Sequence, residues 1–433
     1  MNSRIAAAIA LMLCSVCPSV RADVWTLDRV ITQAVGVSNT AEIERLDSRS
    51  AGLDAELADR SRLPVVSIGS GVNFFSEKAE ISLPGRTITM SDYDRYDVNI
   101  GFNQLLYDGG RLRALGEASR ERSRMNDCRA DAALLAVEYT AKTAFFGAAN
   151  AETMLKASEQ SVTEAQNHLD DVIARKRQGM VLETDVLRAK LRVSQAEMDR
   201  ESRSADREKA QAVLREVLAL EPGESLALEW NTDAIPSGPD ATLESVVSSR
   251  PEFGAYDAAI ASSVKTAEQA RADLRPMVSF YGKFNYGKPG VNQPANDWMH
   301  YFSGGVALSW NIWDWGIASR REEKAMIEAK KTERRRDDFR RHLARELTEA
   351  HASLDAAVKR YDLAVESERF AERQLELVTA SYRQGMATET DYDSAHNDFT
   401  TSALDKSAAS TTVRIIMAHI EYVLGITYTG GNR

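Results

Sequence analysis

The sequence predicts a mixed fold in which very long α-helices are combined with the strands of a β-barrel. Three observations predict it. The chain contains two copies of one helix–strand–strand–helix plan, and each copy has a very long helical segment without proline. Four further segments, each of about ten residues, alternate apolar with small or polar side chains.

The first 22 residues have the features of a secretory signal. Arg4 gives a positive start, an apolar core follows, and Ala22 is a small residue suited to cleavage. The full chain has a net charge of −10, and this segment carries two arginines and no acid, so cleavage leaves −12. Cys14 and Cys17 lack the small preceding residue that lipidation needs. Cys128 is then the one remaining cysteine, which excludes an internal disulfide.

The charge and hydropathy of the remaining chain limit its partners. An acidic surface argues against nucleic acid as a partner. No apolar stretch after residue 22 approaches the roughly 20 residues that a membrane-spanning helix needs. If the chain enters a membrane, it must therefore do so as a barrel.

An internal duplication is the strongest feature. The segment 177–180 (RQGM) recurs at 383–386, 206 positions later, and 183–185 (ETD) recurs at the same offset at 389–391. So long a period indicates a duplicated half rather than a solenoid repeat.

This duplication gives the predicted domain boundaries. The first repeat covers residues 23–220, with strands at about 65–75 and 96–107 and a long helix at about 111–178. The second covers 243–425, with strands at about 277–287 and 300–313 and a long helix at about 317–384. A connector rich in helix breakers, 221–242, separates them, and a tail follows at 426–433.

The long helices carry a heptad pattern. Apolar or small residues follow alternating three- and four-residue steps, a period that produces supercoiled helices. In the first copy they include Leu134, Val137, Ala141, Ala144, Ala148, Ala151, Leu155, Ser158, Val162, Ala165, Leu169 and Val172. Shorter helices are predicted at about 27–60, 184–220, 243–272 and 391–424. Two of these shorter helices, placed end to end, match one long helix in length. The many alanines predict a closely packed helical barrel or bundle.

The four strands are amphipathic, and aromatic residues crowd their ends. In the first, Val66, Ile68 and Val72 alternate with Ser67 and Gly69, as in membrane barrels with one face toward lipid. Four strands cannot close a barrel. Eight strands from a dimer would be filled by side chains, whereas twelve from a trimer leave a lumen. The sequence therefore predicts a trimer.

With these features the chain resembles the TolC family of outer-membrane efflux proteins. The resemblance is carried by the duplicated plan, by residues 104–111 (QLLYDGGR) and by the paired turns 177–185 and 383–391. It implies a homotrimer with a twelve-stranded β-barrel in the outer membrane of a Gram-negative bacterium and a long α-helical barrel in the periplasm. It further implies export of small molecules or proteins, in tripartite efflux or type I secretion, without a cofactor. The implied partners are outer-membrane lipid, a periplasmic adaptor (membrane fusion) protein and an inner-membrane transporter of RND or ABC type.

The resemblance also implies roles for residues at the turns. Asp391 matches a ring-forming aspartate, and Tyr382 with Asp185 matches a pair that holds the periplasmic gate. Thr184 matches the partner of a gate arginine, but Ala387 replaces that arginine. Ser394 occupies the second acidic ring position, with Asp393 beside it. The adaptor is expected to dock at the turns themselves, whose residues are Gly179, Met180, Gly385 and Met386.

Part of this assignment also follows from the residues themselves, independently of the resemblance. Acidic residues cluster where the shorter helices begin, and for Glu183 and Glu389 we interpret this as charge that complements the helix dipole. For Asp391, threefold symmetry would place like charges around a constriction. Such a ring favours cations and binds divalent ions.

Two other classes of function explain the sequence less well. An enzyme is not indicated, because no nucleophile elbow or phosphate-binding loop is present and the six histidines show no convincing metal-ligand spacing. His342 and Glu346 are four residues apart, but in so charged a run we interpret them as a solvated face. A non-conducting coiled-coil structural protein would explain the heptads but not the four amphipathic strands.

Overall fold

The computed structural model describes residues 24–90, 92–224, 226–230, 243–292 and 295–426. The predicted signal, most of the predicted connector and almost all of the predicted tail lie outside the described residues. The first repeat contains β1 (Val24–Trp25), α1 (Leu27–Val37), α2 (Asn39–Arg60), β2 (Val65–Phe74), β3 (Glu80–Leu83), β4 (Arg86–Thr89), β5 (Asp94–Tyr107), α3 (Arg111–Arg177) and α4 (Glu183–Leu218). After β6 (Ala227–Leu228), the second repeat contains α5 (Leu243–Ser249), α6 (Pro251–Ala272), β7 (Met277–Lys288), β8 (Met299–Ser309), α7 (Ile317–Arg383) and α8 (Glu389–Leu424).

The duplication is visible in matched elements. Helices α3 and α7 each contain 67 residues, and α4 and α8 each contain 36. Asp108 accepts hydrogen bonds from the backbone amides two and four residues ahead, at 3.0 and 2.6 Å, and so caps α3. Asp314 caps α7 in the same way, at 2.9 and 2.8 Å. Long helices and amphipathic strands in two repeats confirm the predicted fold class, whereas the trimer stays a prediction.

Two of the predicted shorter helices are interrupted. The first breaks at Ser38, whose backbone is extended, and so becomes α1 and α2. The third breaks at Arg250, because Pro251 disfavours a helical conformation in the residue before it. Strand β8 ends at Ser309, four residues earlier than predicted.

A hairpin that the sequence analysis did not anticipate follows β2. Its strands β3 and β4 pair antiparallel, with Leu83 opposite Arg86. Gly85 lies in the turn with a φ of +77°, a conformation that glycine adopts without steric cost.

The described residues form two compact units. The helical unit contains the residues up to Asn39, Leu134–Leu243 and those from Arg345 onward, and the sheet unit contains Thr40–Ala133 and Glu244–Ala344. Among the described residues, no helix is both long enough and apolar enough to cross a membrane.

The sheet unit contains a four-stranded antiparallel sheet in the order β2-β5-β7-β8. Its register aligns the predicted faces across all four strands. One row reads Ile68, Ile100, Phe284 and Phe302, and the next row along the strands, which faces the other way, reads Ser67, Gly101, Lys283 and Ser303. Because successive side chains alternate between faces, the sheet has one apolar and one polar face.

The helical unit has its main core where α1, α3 and α4 meet. Phe145 of α3 and Leu214 and Leu218 of α4 are almost fully buried there, with Val30 of α1. The short parallel pair of β1 and β6 lies beside this core, since Trp25 belongs to the same cluster. Predicted heptad residues of α3, such as Ala141 and Val172, are also buried.

Candidate functional site

The two turns between the long and short helices have the same backbone. Gly179 and Gly385 both have a φ of +76°, in the left-handed region that glycine tolerates. In each turn the following methionine amide donates to the carbonyl five residues earlier, at 3.0 and 2.9 Å. This pattern satisfies carbonyls that a helix end leaves free. Met180 and Met386 project from the turns and are 70% and 72% exposed.

The predicted acidic residues begin the shorter helices. Asp391 accepts hydrogen bonds from the amide of Thr388 at 2.9 Å and from its hydroxyl at 2.6 Å. Asp185 accepts one from the amide of Leu182 at 2.9 Å. The hydrogen bonds from Thr388 lower the pKa of Asp391. The exposed carboxylate of Asp391 is therefore charged at neutral pH. Thr184, near the start of α4, is also exposed.

A partly buried cluster lies beside the α7–α8 turn, within the helical unit. We call it the tip cluster, and its residues come from α3, α4, α7 and α8: His168, Arg192, Tyr382, Glu389, Tyr392 and Asp393. His168 and Glu389 are only 6% and 9% exposed. His168 Nε2 is in direct contact with Glu389 Oε1, which joins α3 to the first residue of α8.

Glu389 is held from two sides. Its second oxygen, Oε2, accepts a hydrogen bond from the Tyr382 hydroxyl at 2.5 Å. Burial alone would raise the pKa of Glu389, but the bonds from His168 and Tyr382 outweigh burial and lower it. Burial and the bond to Glu389 raise the pKa of Tyr382. Glu389 is therefore a buried anion with two donors rather than only an acid of the first helical turn.

Aromatic rings and a second ion pair complete the cluster. The Tyr392 ring stacks on His168 with centroids 4.7 Å apart and on Tyr382 at 5.4 Å. Arg192 donates from Nη1 to Asp393 Oδ1, and its guanidinium lies 5.6 Å from the Tyr392 ring. These contacts tie α4 to α8.

The structure brings together some of the predicted gate residues and separates others. Tyr382 and Asp393 lie in the tip cluster. Within the chain, however, the hydroxyl of Tyr382 donates to Glu389, which begins α8 seven residues later, and not to Asp185. The roles of His168 and Arg192 were not predicted from the sequence. Within α8 alone, the four-residue spacing of Glu389 and Asp393 places their side chains on one face of the helix, which was the one local signal for this cluster.

His396 supports a prediction on pH. It is 5% exposed, and its Nε2 lies 3.3 Å from Glu164 Oε2. Burial, reinforced by the charge of Arg192 and by His168, lowers the pKa of His396 to about 4, although Glu164 opposes this. The unfolded chain binds this proton near pH 6.5, so the stability that the neutral imidazole contributes is complete above that pH and is lost as the pH falls toward 4.

Between pH 7 and pH 4, we expect the free energy of unfolding of the wild type to fall by about 2 to 3 kcal/mol per protomer more than that of His396→Gln. Chemical unfolding between pH 7 and pH 4 measures this difference, with a chelator present so that bound metal ions do not contribute. His419→Gln, a change of another histidine on α8, is the control and should follow the wild-type profile. Parallel profiles for the wild type and His396→Gln would contradict the prediction.

Comparison with known proteins agrees with this architecture. The family model described as "Outer membrane efflux protein" matches residues 43–220 and 242–425. No curated protein matches this chain in sequence. Among solved structures, CusC is similar at 14% identity with a TM-score of 0.78, and the match covers 92% of each chain.

Two further channels share the fold. The CmeC outer membrane channel of Campylobacter jejuni is 15% identical, with a TM-score of 0.77, and the match covers 92% of this chain and 85% of that one. The open state of the Neisseria gonorrhoeae MtrE outer membrane channel is 18% identical, also with a TM-score of 0.77, over 92% and 88% of the two chains. At these identities the likeness shows the fold.

Proposed function

Because the chain belongs to the outer membrane efflux protein family, and is thus an outer-membrane efflux channel protein with a large periplasmic helical part, we propose that three copies form the conducting channel. One observation carries this proposal. The sheet begins with β2 and ends with β8, and neither has a neighbour on its outer side among the described strands. Open edges are not tolerated in lipid. Pairing β8 of one copy with β2 of the next closes a barrel of twelve strands.

The apolar face of the sheet supports contact with lipid. Ile68 and Phe302, at the two ends of the apolar row, are 77% and 73% exposed. A non-conducting coiled-coil protein would have no use for such a face, whereas a barrel places it against the hydrocarbon of the outer membrane. The opposite face, with its small and polar residues, then lines the lumen.

The proposed function is tested with protein extracted in detergent from outer membranes. We expect the mass of a trimer and, in planar bilayers, a small conductance that prefers cations. A monomer without conductance would contradict the channel and favour the structural coiled coil.

The turns are the proposed docking sites for the periplasmic adaptor. Each presents a glycine turn with an exposed methionine, at Gly179–Met180 and at Gly385–Met386. Methionine adapts its shape to an apolar partner surface. The adaptor would join the channel to an inner-membrane transporter of RND or ABC type, which supplies the small molecules or proteins that are exported.

The tip cluster is the proposed closing device of the channel. It connects the helical hairpin α3–α4 to the hairpin α7–α8 through His168–Glu389 and Arg192–Asp393. Tyr382 reinforces the first of these links. We assign Asp185 and Thr184, at the start of α4, to contacts that form between copies in the trimer. Opening then requires the hairpins to separate at the turns.

The exposed carboxylate of Asp391 is proposed to form a ring of three charges at the constriction. We expect Asp391→Asn to reduce the preference for cations and to remove block by divalent cations, because the ring loses its charge while the side chain can still accept the capping hydrogen bonds. Single-channel recording with and without Mg²⁺ measures both effects.

Thr388→Ala is the matched control for that experiment. It removes the hydroxyl that caps α8 at Asp391 N, at 3.3 Å, but leaves the charge of Asp391 in place. We expect it to cost about 1 kcal/mol of stability and to leave selectivity unchanged. If Asp391→Asn also leaves selectivity and block unchanged, Asp391 does not line the constriction.

A further inference from the structure

We propose that His168, Glu389 and Asp393 form a binding site for a divalent cation of the zinc class, which would link α3 to α8 beside the α7–α8 turn. One ligand atom from each of the three side chains lies within 4.8 Å of the other two. The spacing of the histidines along the sequence gave no indication of such a site. The fold creates it by bringing together residues that are 221 positions apart.

The arrangement of the ligands suits coordination from one side. Glu389 and Asp393 are four residues apart on α8, so their carboxylates project from the same face of the helix. His168 approaches this face from α3. One imidazole and two carboxylates are a ligand set that zinc and similar first-row cations accept, with water at the fourth position.

The metal-free contacts show how a cation would enter. His168 Nε2 and Glu389 Oε1 are in direct contact, and an imidazole N–H at this nitrogen donates to the carboxylate. A cation would replace this proton, and both atoms would become ligands. For a neutral imidazole no net proton is released, because Nε2 gives up its hydrogen, Nδ1 takes one up, and the lone pair of Nε2 is then free to bind the cation.

Two hydrogen bonds already hold the carboxylates from outside. Tyr382 donates to Glu389 Oε2, the oxygen that does not contact His168. Arg192 donates to Asp393 Oδ1 and so leaves the Oδ2 atom of that carboxylate for a cation. Such outer partners orient metal ligands and commonly change affinity by about 10- to 100-fold.

The charge of the site decides which cations it prefers. Two carboxylates give −2, and the guanidinium of Arg192 returns one positive charge. Hard cations such as Ca²⁺ need many oxygen ligands and high negative charge, which this site lacks. A cation that bonds to imidazole is therefore favoured. The burial of His168 and Glu389 further favours a cation that gives up most of its water.

The test uses the full chain in detergent, stripped with a chelator and titrated with Zn²⁺ by calorimetry. All proteins carry Asp391→Asn, so that cations bound at the proposed acidic ring are not counted. We expect one site per protomer, a loss of at least about 100-fold in affinity with His168→Gln, and a loss of about 10- to 100-fold with Tyr382→Phe. Ca²⁺ should not compete.

His419→Gln is the matched control. His419 Nε2 lies 3.1 Å from Glu346 Oε1, so this change also breaks a histidine–glutamate pair of the helical unit, but one outside the three-ligand group. Its affinity for Zn²⁺ should equal that of the parent. Circular dichroism and elution volume show whether each variant folds. If His168→Gln fails to fold, Glu389→Gln is used in its place as the variant that lacks a ligand.

A spectroscopic signal separates coordination from a general effect on folding. Co²⁺ bound to the parent should give visible ligand-field absorption that is absent from His168→Gln. Equal Zn²⁺ binding by the parent and His168→Gln, or equal competition by Ca²⁺, would overturn the proposal. Neither outcome would affect the proposed channel function, because trimer mass and conductance are measured without these cations.

Discussion

Ile100→Arg is expected to prevent the chain from forming a stable barrel, at a cost of about 2 to 4 kcal/mol per protomer. Ile100 lies in the middle of β5, between Ile68 on β2 and Phe284 on β7, in the apolar row of the sheet. In the proposed trimer the change places three arginines in the hydrocarbon, so the cost applies three times. The amount of heat-modifiable trimer in outer-membrane fractions measures the effect.

The adjacent residue provides the control. Asn99 lies on the same strand but on the polar face, between Gly69 and Asn285. Asn99→Arg should assemble normally and change only the conductance, because its side chain would face the lumen. Equal loss of trimer in both variants would show that the apolar face does not contact lipid.

The sheet could be predicted well because its signal is local. A strand alternates its side chains with a period of two, so Val66, Ile68 and Val72 reveal their common face without any knowledge of the partner strands. The register itself was not predicted, but a shift by one residue would exchange the two faces of a strand, so matching faces restrict it. The hairpin β3–β4 carries no such burial requirement and was not predicted.

The interruptions of the shorter helices were predictable in one place and not in the other. Pro251 is a strong local signal, and the break at Arg250 follows from it. Ser38 has no comparable neighbour, and the adjoining residues 27–37 and 39–60 are compatible with one continuous helix. Before the break, α1 packs into the core with Phe145.

The tip cluster could not be predicted from spacing. His168 and Glu389 are brought into contact by the packing of α3 against α8, and no periodic pattern links residues so far apart in the chain. The turns themselves were predictable, because Gly179 and Gly385 repeat with their neighbours at a fixed offset. Sequence therefore located the candidate site but identified only part of its chemistry.

Phe145→Ala is expected to destabilise the helical unit by about 3 to 5 kcal/mol. Phe145 is 1% exposed and packs with Leu214 and Leu218 of α4 and with Val30 of α1. Its ring also meets Phe146 edge to face, with centroids 5.6 Å apart. Truncation removes the contacts of the ring and leaves a cavity that alanine-rich helices cannot fill by moving side chains. Chemical unfolding followed by far-ultraviolet circular dichroism measures the loss.

Phe145→Leu distinguishes loss of packing from loss of the aromatic ring. Leucine refills most of the volume, so a cost of about 1 to 2 kcal/mol is expected if packing dominates. A cost equal to that of alanine would mean that the edge-to-face contact with Phe146 matters more than the filled volume. This core lies where α1, α3 and α4 meet, while the strands of the four-stranded sheet belong to the sheet unit. The proposed trimer should therefore retain its heat-modifiable mobility in Phe145→Leu. If Phe145→Ala unfolds at the same denaturant concentration as the wild type, this core is not what stabilises the helical unit.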